Sequence, residues 1–160
     1  MNYSGYFTDN DGNRYYLEKS VITLSLHENL TVSTTNVYTK LNALKEDCKA
    51  GTALSTNNGG VVIGKGVRKV LVSGVMSVLA SVKRNEHSRI IRVRDGQEEI
   101  ISWNYNGFEA QQLNSIVLTP VVFDVKENDI IYMLYYSEKN DILQGNTFGK
   151  RTSITVEVVE

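Results

Sequence analysis

The chain has 160 residues, 41% of them hydrophobic, with 17 Lys and Arg against 18 Asp and Glu. That is about one domain's length with enough apolar material for a core, and the charge balance argues against nucleic acid or anionic lipid as an obligate partner. The single cysteine, Cys48, excludes an intrachain disulfide and a Cys-ligated zinc centre.

From the N-terminus, residues 4–16 read as a small β-hairpin. Asp9-Asn10-Asp11-Gly12-Asn13 forms its turn, between Tyr6-Phe7 and Tyr15-Tyr16. Val21–Leu26 is a further short strand. In Thr35–Cys48 the apolar residues Val37, Leu41, Leu44 and Cys48 are spaced by four, three and four. This stripe predicts a helix too short to stand alone, which another copy of itself would cover. Gly, Thr, Ser and Asn accumulate over 49–58, placing an expected boundary between an N-terminal segment, 1–50, and a main domain, 51–160.

Beyond that boundary period two dominates. The even positions from Val70 to Val82 are Val, Gly, Met and Ala, while the odd ones mix Leu and Val with Ser. The segment reads as one long strand with a core side and a semi-polar side. Arg89–Arg94 and Glu98–Trp103 flank the turn signal Asp95-Gly96. Ile116–Val125 carries the only proline, Pro120, which implies an edge or a bulge. Asp129–Ser137 is apolar on both faces, with Ile131, Met133 and Tyr135 on one and Ile130, Tyr132, Leu134 and Tyr136 on the other. A two-layer sandwich covers only one of these, so self-association is expected. Thr152–Val159 closes an all-β, antiparallel sandwich.

Catalytic motifs fail on their chemistry. Gly59–Gly66 matches G-x-x-x-x-G-K, but Gly66 stands where the metal-binding hydroxyl belongs and a strand pattern follows. Asp9, Asp11 and Asn13 alternate like calcium ligands, yet the loop's glycine comes early and Ser20 occupies the place of the closing Glu. Neither His27 nor His87 has a second ligand at metal spacing, and His87 is expected in a solvated loop, Lys83–Ser88. No enzyme activity, cofactor or metal is expected. No apolar run approaches a membrane span, and Met1-Asn2-Tyr3-Ser4 is not expected to open a signal peptide.

Two stretches carry binding chemistry. Trp103, Tyr105 and Phe108 alternate with Asn104, Asn106 and Gly107, and aromatics beside amides are suited to gripping a sugar. The alternative is that Trp103 ends a core strand while the others pack over the sandwich edge. Lys83, Arg84, Arg89, Arg92 and Arg94 form a basic cluster, either an anion patch or a solvated strand face.

Val70-Leu71-Val72-Ser73-Gly74, together with Val121–Tyr132 and Thr152–Val158, resembles the trimeric globular heads of the tumour-necrosis-factor and complement type, over about residues 55–160. Asn128-Asp129 stands where that family usually has Gly-Asp. Gly5–Tyr16, followed by Val21 and Glu28-Asn29-Leu30, is similar to attachment segments of bacteriophage tail and neck fibres, with Leu17 where proline is usual. Together the resemblances imply a virion protein, assembled in the bacterial host cytoplasm, with an attachment segment and helical neck (1–50) and a homotrimeric jelly-roll head (51–160). The N-terminal segment would contact other virion proteins. The head would bind a host-surface saccharide through Trp103, Tyr105 and Asn106, with Arg92 or Arg94 if the sugar is anionic. Ile130, Tyr132 and Leu134 would line the threefold seam. The alternatives are a purely architectural virion part and a bacterial jelly-roll adhesion module.

Overall fold

Runs of Val, Ile, Thr and Tyr become strands along the whole chain in the computed structural model, which describes residues 3–8, 11–12, 14–80, 82–108, 112–145 and 151–160. In chain order the strands are β1 (Tyr3–Thr8), β2 (Arg14–Glu18), β3 (Val21–Ser25), β4 (Leu30–Val32), β5 (Thr39–Lys40), β6 (Lys45–Ala50), β7 (Leu54–Asn57), β8 (Gly60–Ile63), β9 (Lys69–Ala80), β10 (Arg84–Arg94), β11 (Gln97–Phe108), β12 (Gln112–Asp124), β13 (Ile130–Ser137), β14 (Asp141–Leu143) and β15 (Ser153–Val158). No helix occurs among the described residues.

Among the described residues β1 and β2 pair only with each other, as the expected hairpin; residues 9, 10 and 13 of the expected turn lie outside the described residues. The other strands form two antiparallel sheets. One runs β11-β10-β13-β8-β7, with β5 also on β13. The other runs β4-β14-β9-β15-β3-β6, with β12 also on β9. β9 is long enough to take β12 along one edge and both β15 and β14 along the other. The core lies between the sheets. Val70, Val72, Met76 and Val78 of β9 enter it, as their alternation predicts, and meet Ile131, Met133 and Tyr135 of β13. Gly74, also on the inner face, leaves room there: a Cβ would lie 3.0 Å from the Met133 sulfur and 3.1 Å from a Leu118 methyl.

Turn chemistry agrees with the sequence. Asp95 and Gly96 adopt φ of 50° and 76°, the left-handed pair that a two-residue hairpin between twisted strands requires. The β9–β12 register slips between Leu118 and Val121, so Pro120 sits at a bulge, where its missing N–H costs no ladder bond.

Three expectations are corrected. The Thr35–Cys48 stripe is not a helix but parts of β5 and β6 with a turn between. Leu41 and Leu44 are buried, while Val37 and Cys48 are exposed. A stripe needs all four on one side, and only two enter the core. Residues 21–50 do not stand apart from the head: β3 lies between β15 and β6, and its Ile22 and Leu24 are fully buried in the common core. The sandwich therefore begins at Val21. Lys83–Ser88 is not a solvated loop, since Arg84–Ser88 opens β10 with Arg84, Glu86 and Ser88 buried.

Candidate functional site

The 95–96 turn sends β11 back beside β10, and the pairing register decides which side chains share a face. His87 pairs with Tyr105, Arg89 with Trp103, and Ile91 with Ile100 across β10–β11. The same residues pair with Tyr136, Leu134 and Tyr132 across β10–β13. Leu134 in turn pairs with Lys40 of β5. Cross-strand partners point to the same side of a sheet. The outer face of this sheet therefore carries rows Tyr105–His87–Tyr136, Trp103–Arg89–Leu134–Lys40 and Ile100–Ile91–Tyr132.

His87 is the hub of the first row. Its ring meets Tyr105 edge-on at 5.0 Å and Tyr136 at 4.9 Å between centroids. Tyr38, arriving just before β5, places its hydroxyl 3.1 Å from His87 Nδ1 and its ring 5.2 Å from Tyr136. Hydrogen bonds at the rim fix the rings. Tyr105 donates to Asn85 Oδ1 (2.7 Å), and Asn85 donates through its amide and backbone N–H to Glu138 (both 3.1 Å). Those bonds hold the Glu138 carboxyl below its ordinary range. Tyr136 donates to Asn36 Oδ1 at 3.2 Å. Trp103 stands at the open side of this cluster, 66% exposed, and Tyr105 is 48% exposed. The open indole thus stands beside rings held in place, an arrangement suited to contact with a flat ligand.

Arg89 and Lys40 are the cations of this face, whereas Arg84, Arg92 and Arg94 alternate to the other face of β10. Of the four arginines of β10, three have carboxylates: Arg84 with Glu86 and Asp141, Arg92 with Glu99, and Arg94 with Asp129. Arg89 has none among the described residues and lies over the Tyr38 ring, 3.7 Å from its centroid. Lys40 likewise lies over Tyr132, at 4.4 Å.

The structure divides the residues singled out from sequence. Trp103 and Tyr105 come together on the outer face. Asn106 does not join them, because it pairs with Glu86, whose side chain is buried on the opposite side of the sheet. Ser102 and Asn104, also on that side, bond the Thr119 and Val117 carbonyls of β12. Arg92 and Arg94 lie three and five residues past Arg89, about 10 and 17 Å along the strand. Arg92 donates to the Asp124 carbonyl (2.6 Å) and pairs with Glu99. Arg94 grips Asp129 with two nitrogens, at 2.9 and 2.6 Å. Burial raises the Asp129 carboxyl, but Arg94 and the Lys126 N–H outweigh it and the net shift is downward. Both arginines are thus committed to structure.

Ile130, Tyr132 and Leu134 share the outer face with Trp103. Tyr132 is nearly buried beneath Lys40, with its hydroxyl donating to Glu98; burial, then Glu98, raises that phenol well above its ordinary range. Ile130 and Leu134 are half-buried. A more exposed aliphatic face lies on the other sheet, where Val117, Val122 and Leu79 are exposed and pair with or flank the half-buried Val75 and Leu71.

Sequence reasoning also missed a buried charge cluster at one end of the sandwich. Arg84 Nε donates to Glu86 Oε1 (2.7 Å) and Asp141 Oδ2 (2.9 Å), its Nη1 to the Val82 carbonyl (2.7 Å), and Tyr135 donates to Asp141 Oδ2 at 2.6 Å. One guanidinium thus serves two carboxylates, all three side chains being 0% exposed. Burial pushes the Glu86 carboxyl up to about 7 despite Arg84. Among the described residues no group of three His, Cys, Asp or Glu side chains is arranged to hold a metal.

No known protein family and no curated protein matches the chain in sequence. Solved structures match it in fold. The crystal structure of murine APRIL at pH 5.0 superposes with a TM-score of 0.64 at 14% identity, covering 89% of this chain and all of that one. Eiger TNF from S. frugiperda gives 0.64 at 12% identity, covering 89% of this chain and 92% of that one. The fold is that of the tumour-necrosis-factor-type jelly rolls.

Proposed function

We propose that the chain is a homotrimeric virion protein of bacteriophage-fibre type, whose head binds a saccharide on the host surface through the Trp103–Tyr105 face. The observation that carries this reading is that face itself: an exposed indole beside an edge-packed cluster of Tyr and His rings. Flat apolar rings suit the C–H faces of a pyranose, and the hydroxyls and amides around them suit its hydroxyl groups. The attachment role of the N-terminal hairpin and the location in a virion rest on the resemblance of Gly5–Tyr16 to fibre segments. Trimer formation is supported by the shared fold and by the exposed Val117, Val122 and Leu79. The exposure of Val117, Val122 and Leu79 favours a seam on the outer face of the β9–β12 sheet over one on β13.

Trp103 is the only tryptophan, so its fluorescence reports on the face directly. Titration with a panel of bacterial cell-wall polysaccharides should shift its emission for at least one. A Trp103→Ala, Tyr105→Ala variant with wild-type melting should no longer be retained on that polymer. Emission unchanged across the panel, or full retention of the double variant, overturns the reading.

A further inference from the structure

We infer that the saccharide carries a negative charge, a carboxylate or phosphate, and that Arg89 and Lys40 bind it. The inference rests on the saccharide reading above and adds its charge and the residues that read it. Arg84, Arg92 and Arg94, on the opposite face of the same strand, each pair with a carboxylate. Arg89 departs from its neighbours, with only the Tyr38 ring beneath it and no acid among the described residues. Lys40 repeats the arrangement over Tyr132. A ring orients a cation and shields one side of it without neutralising it, so each keeps its charge and its remaining donors for a ligand.

Position supports the same conclusion. The register places Trp103, Arg89, Leu134 and Lys40 in one row across four strands. Neighbouring strands lie about 4.8 Å apart, so the two cations are separated by roughly 10 Å, with Arg89 one strand from the indole. A ring stacked on Trp103 would bring a substituent within reach of Arg89, and a further acidic unit would reach Lys40. The guanidinium presents a planar fork of donors, which matches carboxylate and phosphate oxygens alike. The ligand's charge is therefore read by Arg89 and Lys40, and not by Arg92 and Arg94, whose charges are already paired with Glu99 and Asp129.

The test is an array of bacterial glycans bearing uronic acid, sialic acid, glycerol phosphate or only neutral repeats, probed with the full chain and with Arg89→Gln, Lys40→Gln and Arg89→Lys variants of wild-type melting temperature. The expected result is binding confined to acidic spots. Arg89→Gln should weaken it roughly ten-fold or more, Lys40→Gln less, Arg89→Lys should retain part, and added salt should weaken it throughout. Carboxylate-only or phosphate-only spots would say which group is bound. Binding to neutral spots that Arg89→Gln leaves unchanged overturns the charge inference and leaves the saccharide reading standing. An array with no bound spot removes both.

Discussion

Glu86 gives the structure a pH dependence whose sign is unusual for a carboxylate. The groups facing it are Arg84 beside it on β10, Tyr135 of β13 and Asp141 of β14; Ser137 and Asn106 are its cross-strand neighbours. A lone guanidinium cannot neutralise two buried carboxylates, and burial raises Glu86 from 4.5 to about 7. The folded state then holds a proton that the unfolded chain releases, so stability is greatest below the unfolded value and falls as pH rises through the folded one. Between pH 5 and pH 8 the loss is about 2–3 kcal/mol, the product of roughly two pH units of unequal protonation and 1.4 kcal/mol per unit. That is a large share of an ordinary domain's stability. Glu86→Gln keeps an acceptor for Arg84 but cannot ionise. It should flatten the profile and match or exceed the wild type at pH 8, because the Arg84–Asp141 pair is left neutral overall. Urea unfolding at fixed protein concentration from pH 5 to 8 measures both. Wild-type stability that is level or rises over that window refutes the argument, as does an equal slope in the variant.

Two further substitutions separate the faces of the sheets. Val117→Asp should give a folded monomer by light scattering, because its side chain is exposed on the proposed seam, whereas Met133→Asp, fully buried, should prevent folding; a Val117→Asp chain that stays trimeric moves the seam elsewhere. Removal of residues 1–18 should leave the melting temperature of the remainder unchanged, because β1 and β2 pair only with each other, and a fall of several degrees would show that the hairpin supports the sandwich.

Strands were legible wherever apolar alternation met a turn signal, as in β9, β10–β11 and β13. They became illegible where charge went inside. Arg84, Glu86 and Ser88 alternate inward just as Val70, Val72 and Met76 do, but a hydrophobicity pattern reads them as solvent-facing, and so the strand start and His87 were misplaced. The Thr35–Cys48 spacing misled for the opposite reason. Leu41 and Leu44 enter the core from a turn, held by a Leu41 N–H bond to the Met133 carbonyl (3.2 Å), and a spacing of three suits such a turn as well as it suits a helix. At the site, Trp103 and Tyr105 were visible as aromatics in a polar strand. Arg89 was visible only as one of a basic cluster, and Tyr38, Lys40, His87 and Tyr136 not as site residues, because only the register of β5, β10 and β13 brings them beside β11. In the sequence Arg92 and Arg94 show only their charge, and charge does not reveal which cations already have acids.

The placement of the seam and the placement of the ligand constrain each other. Tyr132 and Leu134 lie on the same outer face as Trp103, two strands away from it across β10. Burying them against another copy would bring that copy over or beside the indole, so that assembly and ligand binding would compete for one surface. The other sheet removes the conflict. Its outer face exposes aliphatic Val117, Val122 and Leu79, small side chains without aromatic or cationic chemistry to offer a sugar. The aromatic rows lie on the outer face of the other sheet, although β11 and β12 meet along one edge, where Asn104 bonds the Val117 carbonyl (2.8 Å). Association through the aliphatic side leaves three aromatic faces directed outward. In the proposed trimer, weak single contacts with a repetitive surface would reinforce one another, because each bound head raises the effective concentration of the next. Exposed Trp103 and exposed Val117 are both apolar residues in solvent, but their surroundings give them different partners: rings and unpaired cations for one, a plain aliphatic patch for the other.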